Sequence, residues 1–213
     1  MVDARLVDKP FDIPKQLVWD AYLKVQANKG AAGVDRQSLA DFAQDERNNL
    51  YRIWNRMASG SYFPAPVRAV KIPKPGGGIR ILGVPTITDR IAQTVVAMVL
   101  EPEVEKIFSP DSYGYRPGRS ALDAVGVARQ RCWKRNWVLD MDIQGFFDNV
   151  PHEPILKAVA HHHPTGMDPV VCRALADRTN STTRRKLGCS RSRHPARVGD
   201  LPIVVEPVHA LCI

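Results

Sequence analysis

Hydrophobic and polar positions change period several times along the chain, and each change marks an element. Leu17, Ala21, Leu23 and Val25 fall in a first helical stretch that stops near Asn28-Lys-Gly30. Gly30 and Gly33 then make a turn in which backbone can approach a partner closely. From about Asp45 to Met57 the period is again helical, with Leu50, Ile53, Trp54 and Met57 on one stripe. Arg47, Arg52 and Arg56 occupy the opposite face, which reads as solvated as readily as it reads as a binding surface. From Tyr62 the texture is strand, turn, strand: Val67, Ala69 and Lys71 alternate with Arg68 and Val70, Gly76-Gly-Gly78 makes the tip, and Arg80-Ile-Leu82 returns. Thr86 to Ile107 predicts a long amphipathic helix opened by Asp89-Arg90, with Ile91, Val95, Met98 and Val99 on its apolar side. A further helix runs from about Ala121 to Trp133.

The most informative stretch is 137–150. Leu139, Met141 and Ile143 alternate with Val138, Asp140 and Asp142, which predicts a half-buried strand carrying two carboxylates on one face. A Gly145-Phe-Phe turn follows, and Pro151 suits the first position of a helix. A carboxylate at the end of a buried strand is costly unless something binds it, and a divalent metal is the obvious candidate. Asp140 and Asp148 read equally well as turn caps, so Asp142 is the candidate ligand.

Composition narrows the picture only a little. The chain has 213 residues, a formal charge of +8 and 44% hydrophobic residues, enough for one core or for part of a multi-lobed protein. The basic balance is compatible with a phosphate-rich partner. No stretch approaches a membrane span and no signal-peptide core is present, so a cytoplasmic location is expected. Cys132, Cys172, Cys189 and Cys212 form no close pair, which points to neither a zinc site nor a disulfide framework. His161-His-His163 lacks flanking ligands and reads as ordinary surface. Arg68, Lys71, Lys74 and Arg80 gather around the glycine-rich tip, as a triphosphate site needs, although spacing alone suits an ordinary basic hairpin. The loop from Ser112 to Arg119 mixes aromatics with arginines and suits base stacking and backbone contact with a single strand.

Four blocks carry a family resemblance. Asp142-Ile-Gln-Gly-Phe-Phe-Asp-Asn-Val150 resembles the first palm motif of reverse transcriptases, in the form used by group II intron-encoded enzymes. Asn28 to Asp35 resembles their N-terminal block, Pro66 to Pro85 the first fingers block, and Phe108 to Ser120 the second. The motif resemblance runs from about residue 16 to about residue 163. It implies an α/β (α+β) fold: the fingers and the start of the palm of a right-hand reverse transcriptase, incomplete. The expected division is a helical N-terminal extension over 1–60, fingers over 61–125, the start of the palm over 126–163, and a tail over 164–213 without a packed fold. By resemblance, Lys74 and Arg80 are the phosphate contacts, with Ile81 standing where the family usually has proline. Asp142 and the carbonyl of Ile143 are ligands in a two-Mg²⁺ site, Phe147 lies against the sugar, and Tyr115, Arg116 and Arg119 contact template RNA. The implied activity is RNA-directed DNA polymerisation with a splicing role. The implied partners are group II intron RNA and a DNA primer or target, with no membrane.

Two departures qualify that reading. The family's other two carboxylates lie in a Tyr-x-Asp-Asp hairpin, and the 213 residues contain no such tetrapeptide, nor a Thr-Pro-Gln-Gly block. The active site is thus half-built, and the expectation is an inactive remnant or, alternatively, a non-catalytic RNA-binding fragment. Residues 164–213 hold none of the chain's 15 aromatics, and eight Lys/Arg against four Asp/Glu. A natural basic tail is one reading; a frameshift near His163 is the sharper one. Codons for Met167 to Ala176 can be chosen that, read one base later, give Trp-Ile-Leu-Leu-Tyr-Ala-Glu-Arg-Trp. The same shift applied to Ser190 to Leu201 can give Arg-Asp-Arg-Gly-Thr-Pro-Gln-Gly-Ser-Ala-Ile, which contains the missing block.

Overall fold

A computed structural model describes residues 11–143 and 151–162. Helix α1 (Lys15–Asn28) leads through a turn to the short α2 (Leu39–Gln44) and then α3 (Glu46–Ala58). An antiparallel hairpin follows, β1 (Arg68–Pro73) and β2 (Ile79–Val84), paired without a bulge from Arg68 opposite Val84 to Pro73 opposite Ile79. The chain continues through the long α4 (Ile87–Val104), α5 (Ala121–Cys132) and α6 (His152–His162). The α+β class expected of fingers holds, with helices dominant and a sheet of two strands among the described residues.

One hydrophobic cluster joins α1, α3, α4 and the segments between them, reaching from Ile13 to Val159. Ile91, Ala92, Val95, Val96 and Leu100 of α4 form its spine, each at most 1% exposed. Fully burying one such aliphatic side chain is worth roughly 1.5–3 kcal/mol, so this helix dominates stability. The expected α3 stripe is realised: Leu50, Ile53 and Met57 are buried and Trp54 packs beside them, its indole donating to the Ile13 carbonyl at 2.7 Å. In α1 the expected helix is present, and its buried face is selective. Val18, Ala21, Tyr22 and Val25 face the core, while Leu23 is exposed and Leu17 only partly covered. An i, i+3, i+4, i+7 set is what one helix face can bury, and Leu23 lies off it. From α6, Leu156 and Val159 pack against the same core.

Beyond Phe108 the packing thins. No residue of α5 is buried, and Leu122 and Val125 are 82% and 63% exposed. The expected strand at 137–143 is not present: these residues adopt no regular structure, and Leu139, Met141 and Ile143 are exposed. A strand is stabilised by a neighbour's ladder and by a covered face, and no third strand is described to offer either.

Candidate nucleotide and nucleic-acid interface

The hairpin positions the expected phosphate contacts. Lys74 sits at the turn, its amide donating to the Gly78 carbonyl at 3.1 Å and its carbonyl accepting from Gly77. Gly77 and Gly78 have φ of +88° and +89°, backbone that glycine adopts without a Cβ penalty. Arg80 lies opposite Ile72. Cross-strand partners share a face and successive residues along a strand do not, so the four expected cations divide. Arg68 and Arg80 stand on one face, Lys71 on the other, and Lys74 at the end. Every residue from Lys71 to Ile81 is exposed, so the hairpin projects into solvent with its cations available.

The legs of the hairpin are held by a buried carboxylate that residue patterning noted only as the start of a helix. Asp89, 3% exposed, accepts from the Tyr62 hydroxyl at 2.7 Å, the Thr86 hydroxyl at 2.7 Å and the Ala65 amide at 3.2 Å. Burial, and then the charge of Asp89, push the Tyr62 phenol far above its ordinary range. Next to it, Arg90 donates to the carbonyls of Pro85 and Lys29, at 3.4 and 3.2 Å, and to that of Ala31. Burial lowers the Arg90 pKa, partly offset by the charge of Asp35. The close backbone approach expected at Gly30 and Gly33 is therefore made within the chain. A Cβ on Gly33 would lie 2.6 Å from the Thr86 Cα, and one on Gly30 2.6 Å from the Arg90 guanidinium. The spacing Thr86-x-x-Asp89 inside an apolar run was the available signal for this cluster.

The second expected contact region, the loop after α4, splits into a strut and a surface. Arg116 is 7% exposed. Its guanidinium pairs with Glu105 at 2.6 Å and donates to the carbonyls of Ser109 and Ser112 at 2.6 and 3.0 Å. That corrects its expected placement at the nucleic-acid surface: a planar fork with five donors is well suited to closing a loop on itself. Arg119 is exposed and lies over the Tyr113 ring, 5.4 Å from its centroid. Tyr115 is 67% exposed, held at a φ of +52°. Arg131 of α5 pairs with Asp111 at 2.7 Å, which lowers the Asp111 pKa chiefly through that hydrogen bond.

Asp142 and Ile143 are both exposed rather than at the end of a buried strand. Phe147 and Asp148 lie outside the described residues, as do 163–213. Among the described residues no group of three or more His, Cys, Asp or Glu could hold a metal ion, and no helix is long and apolar enough to cross a membrane. Among the described residues Asp142 belongs to no such group.

The helical body projects a cation-bearing glycine-rich hairpin, the arrangement expected of the fingers of a reverse transcriptase. Residues 72–191 match the reverse transcriptase (RNA-dependent DNA polymerase) family, and the chain belongs to it. The group II intron-encoded protein LtrA of Lactococcus lactis subsp. cremoris is 32% identical over 142 residues, covering 65% of this chain and 23% of that protein. Protein YkfC of Escherichia coli (strain K12) is 38% identical over 140 residues, 62% of this chain and 37% of that one. A putative COX1/OXI3 intron 1 protein of Saccharomyces cerevisiae is 32% identical over 146 residues, 67% of this chain and 17% of its own length. The chain therefore spans between 17% and 37% of these relatives. The family match reaches residue 191, so it takes in part of the segment that the motif resemblance, ending near 163, had left out.

Proposed function

We propose that this chain is the fingers and first palm segment of a group II intron-encoded reverse transcriptase, gripping the nucleotide triphosphate and the RNA template. The observation that carries the reading is the projecting hairpin, which sets Lys74 at its glycine turn and Arg80 on the returning strand inside the family match. Lys74 and Arg80 would neutralise phosphate oxygens, Tyr115 and Arg119 would meet template bases and backbone, and Phe147 would lie against the sugar. Asp142 and the Ile143 carbonyl would supply one corner of a two-Mg²⁺ site, in which the ions activate the primer hydroxyl and neutralise the triphosphate. The Tyr-x-Asp-Asp that supplies the other carboxylates in the family is absent from these 213 residues. Group II intron RNA and a DNA primer are the proposed partners, in the cytoplasm.

Primer extension on an RNA template with Mg²⁺ tests the catalytic part. The chain alone is expected to give no product; template-dependent synthesis abolished by Asp142→Ala would overturn its inactivity. A non-catalytic RNA-binding role is the second reading, favoured by the exposure of Tyr115 and Arg119 outside the palm. Binding of that kind weakens steeply with salt as counterions are released, and an affinity unchanged between low and moderate salt removes it. The frameshift near His163 belongs to the same proposal. Sequencing the locus decides it: codons for Met167 to Ala176 that cannot yield the shifted peptide would make the basic tail a genuine segment.

A further inference from the structure

We propose that Asp89 is a positioning residue for the hairpin: by tying the leg that enters β1 to the leg that leaves β2, it sets the angle at which Lys74 and Arg80 are presented. The proposal rests on the reading that the hairpin grips a triphosphate. With Lys71 to Ile81 exposed, the direction of the hairpin depends heavily on its two legs. The entering leg reaches Asp89 through the Tyr62 hydroxyl and the Ala65 amide, and the leaving leg through the Thr86 hydroxyl. Asp89 itself stands in the first turn of α4, the most deeply packed helix, so both legs are referred to one rigid body.

A simple helix cap does not need this arrangement. Asp41 of α2 and Asp123 of α5 occupy the same third position, are exposed, and return a bond to the backbone amide of their own cap residue. Asp89 is buried, and its carboxylate turns to Tyr62 and Ala65, 27 and 24 residues away. Burying an ionised carboxylate is costly unless its bonds are satisfied, and three donors from two separate legs satisfy this one. Arg90 adds to the hold on the leaving leg by joining the Pro85 carbonyl to those of Lys29 and Ala31.

The test uses the full chain with Cys132, Cys172, Cys189 and Cys212 replaced by serine and spin labels at Gly76→Cys and Lys24→Cys. Gly76 is in open space and Lys24 is exposed on α1. Pulsed dipolar spectroscopy reads the distance distribution between hairpin tip and body, and calorimetry reads binding of inorganic tripolyphosphate. Asp89→Asn is expected to broaden the distribution, and Tyr62→Phe, which keeps the shape and the carboxylate, to broaden it less. If the competent fraction falls to about a fifth, the apparent Kd for tripolyphosphate rises about fivefold. Val95→Ala, which weakens the core without touching the legs, should leave the distribution narrow. A distribution as narrow as the parent's in folded Asp89→Asn and Tyr62→Phe overturns the proposal, as does equal broadening in Val95→Ala. Should Asp89→Asn not fold, Tyr62→Phe decides alone. Broadening in the leg variants of a parent that does not bind tripolyphosphate upholds the tie and removes the grip.

Discussion

Gly33 is buried in the turn after α1, facing the backbone of Pro85 and Thr86. A methyl group there would sit 2.6–3.0 Å from three backbone atoms that cannot rotate away. Gly33→Ala should therefore cost about 1–3 kcal/mol as overpacking, whereas Gly76→Ala, with nothing within 4 Å, should move the urea midpoint very little. The arginines of the 108–120 loop separate in the same way. Arg116→Ala removes a buried charged strut and should cost about 2 kcal/mol in a urea melt. Arg119→Ala should leave stability within about 0.5 kcal/mol while reducing the salt slope of RNA binding by about one. Lys74, Arg80 and Arg119, three of the expected contacts, are exposed, and the sequence reading did not separate Arg116 from them. A sequence states that a guanidinium is present, not which carbonyls lie within its reach. The carboxylate of Glu105, eleven positions away, is the partner that decided the matter.

At the scale of elements, α1, α3, α4 and α5 were legible because their apolar periods are local, whereas the short α2 was not foreseen. The capping boxes Ser38–Asp41 and Ser120–Asp123 start α2 and α5. In each, hydrogen bonds from the serine hold the aspartate pKa below the usual carboxylate value. A lowered folded pKa gives stability that is complete above the unfolded pKa of about 4 and is lost as pH falls through the folded value. Helical circular dichroism should hold steady near neutrality and decline below about pH 4. Ser120→Ala should remove most of the α5 share, since a cap of this kind is worth about 1 kcal/mol and α5 has no buried residue to replace it. The strand expected at 137–143 failed for the opposite reason. Alternation of Leu139, Met141 and Ile143 with acidic residues describes a face to be covered, and covering it takes strands that the described chain does not provide.

Across the described residues, a dense body built from Ile13 to Phe108 and joined by Leu156 and Val159 contrasts with an apolar, exposed run that includes Leu122, Val125, Trp133, Trp137, Leu139 and Met141. Uncovered apolar surface of this extent favours self-association, so light scattering should rise with concentration despite the charge of +8. Replacing Leu122 and Val125 by lysine should suppress the scattering without lowering the melting temperature, because neither side chain is buried. The family was legible from four short blocks, whereas the way Asp89 and Arg90 bind those blocks together was not, since it depends on contacts between distant segments. Those contacts also dictate an order of events during synthesis. Arg90 meets the Lys29 and Ala31 carbonyls across 61 and 59 residues, and α1 packs chiefly on α4. Contacts so distant in sequence close late and slow folding. A nascent chain leaving the ribosome would thus carry α1, α3 and the hairpin without their common support until Val104 had emerged. The first-made helix gains its main packing surface only after α4 has been made.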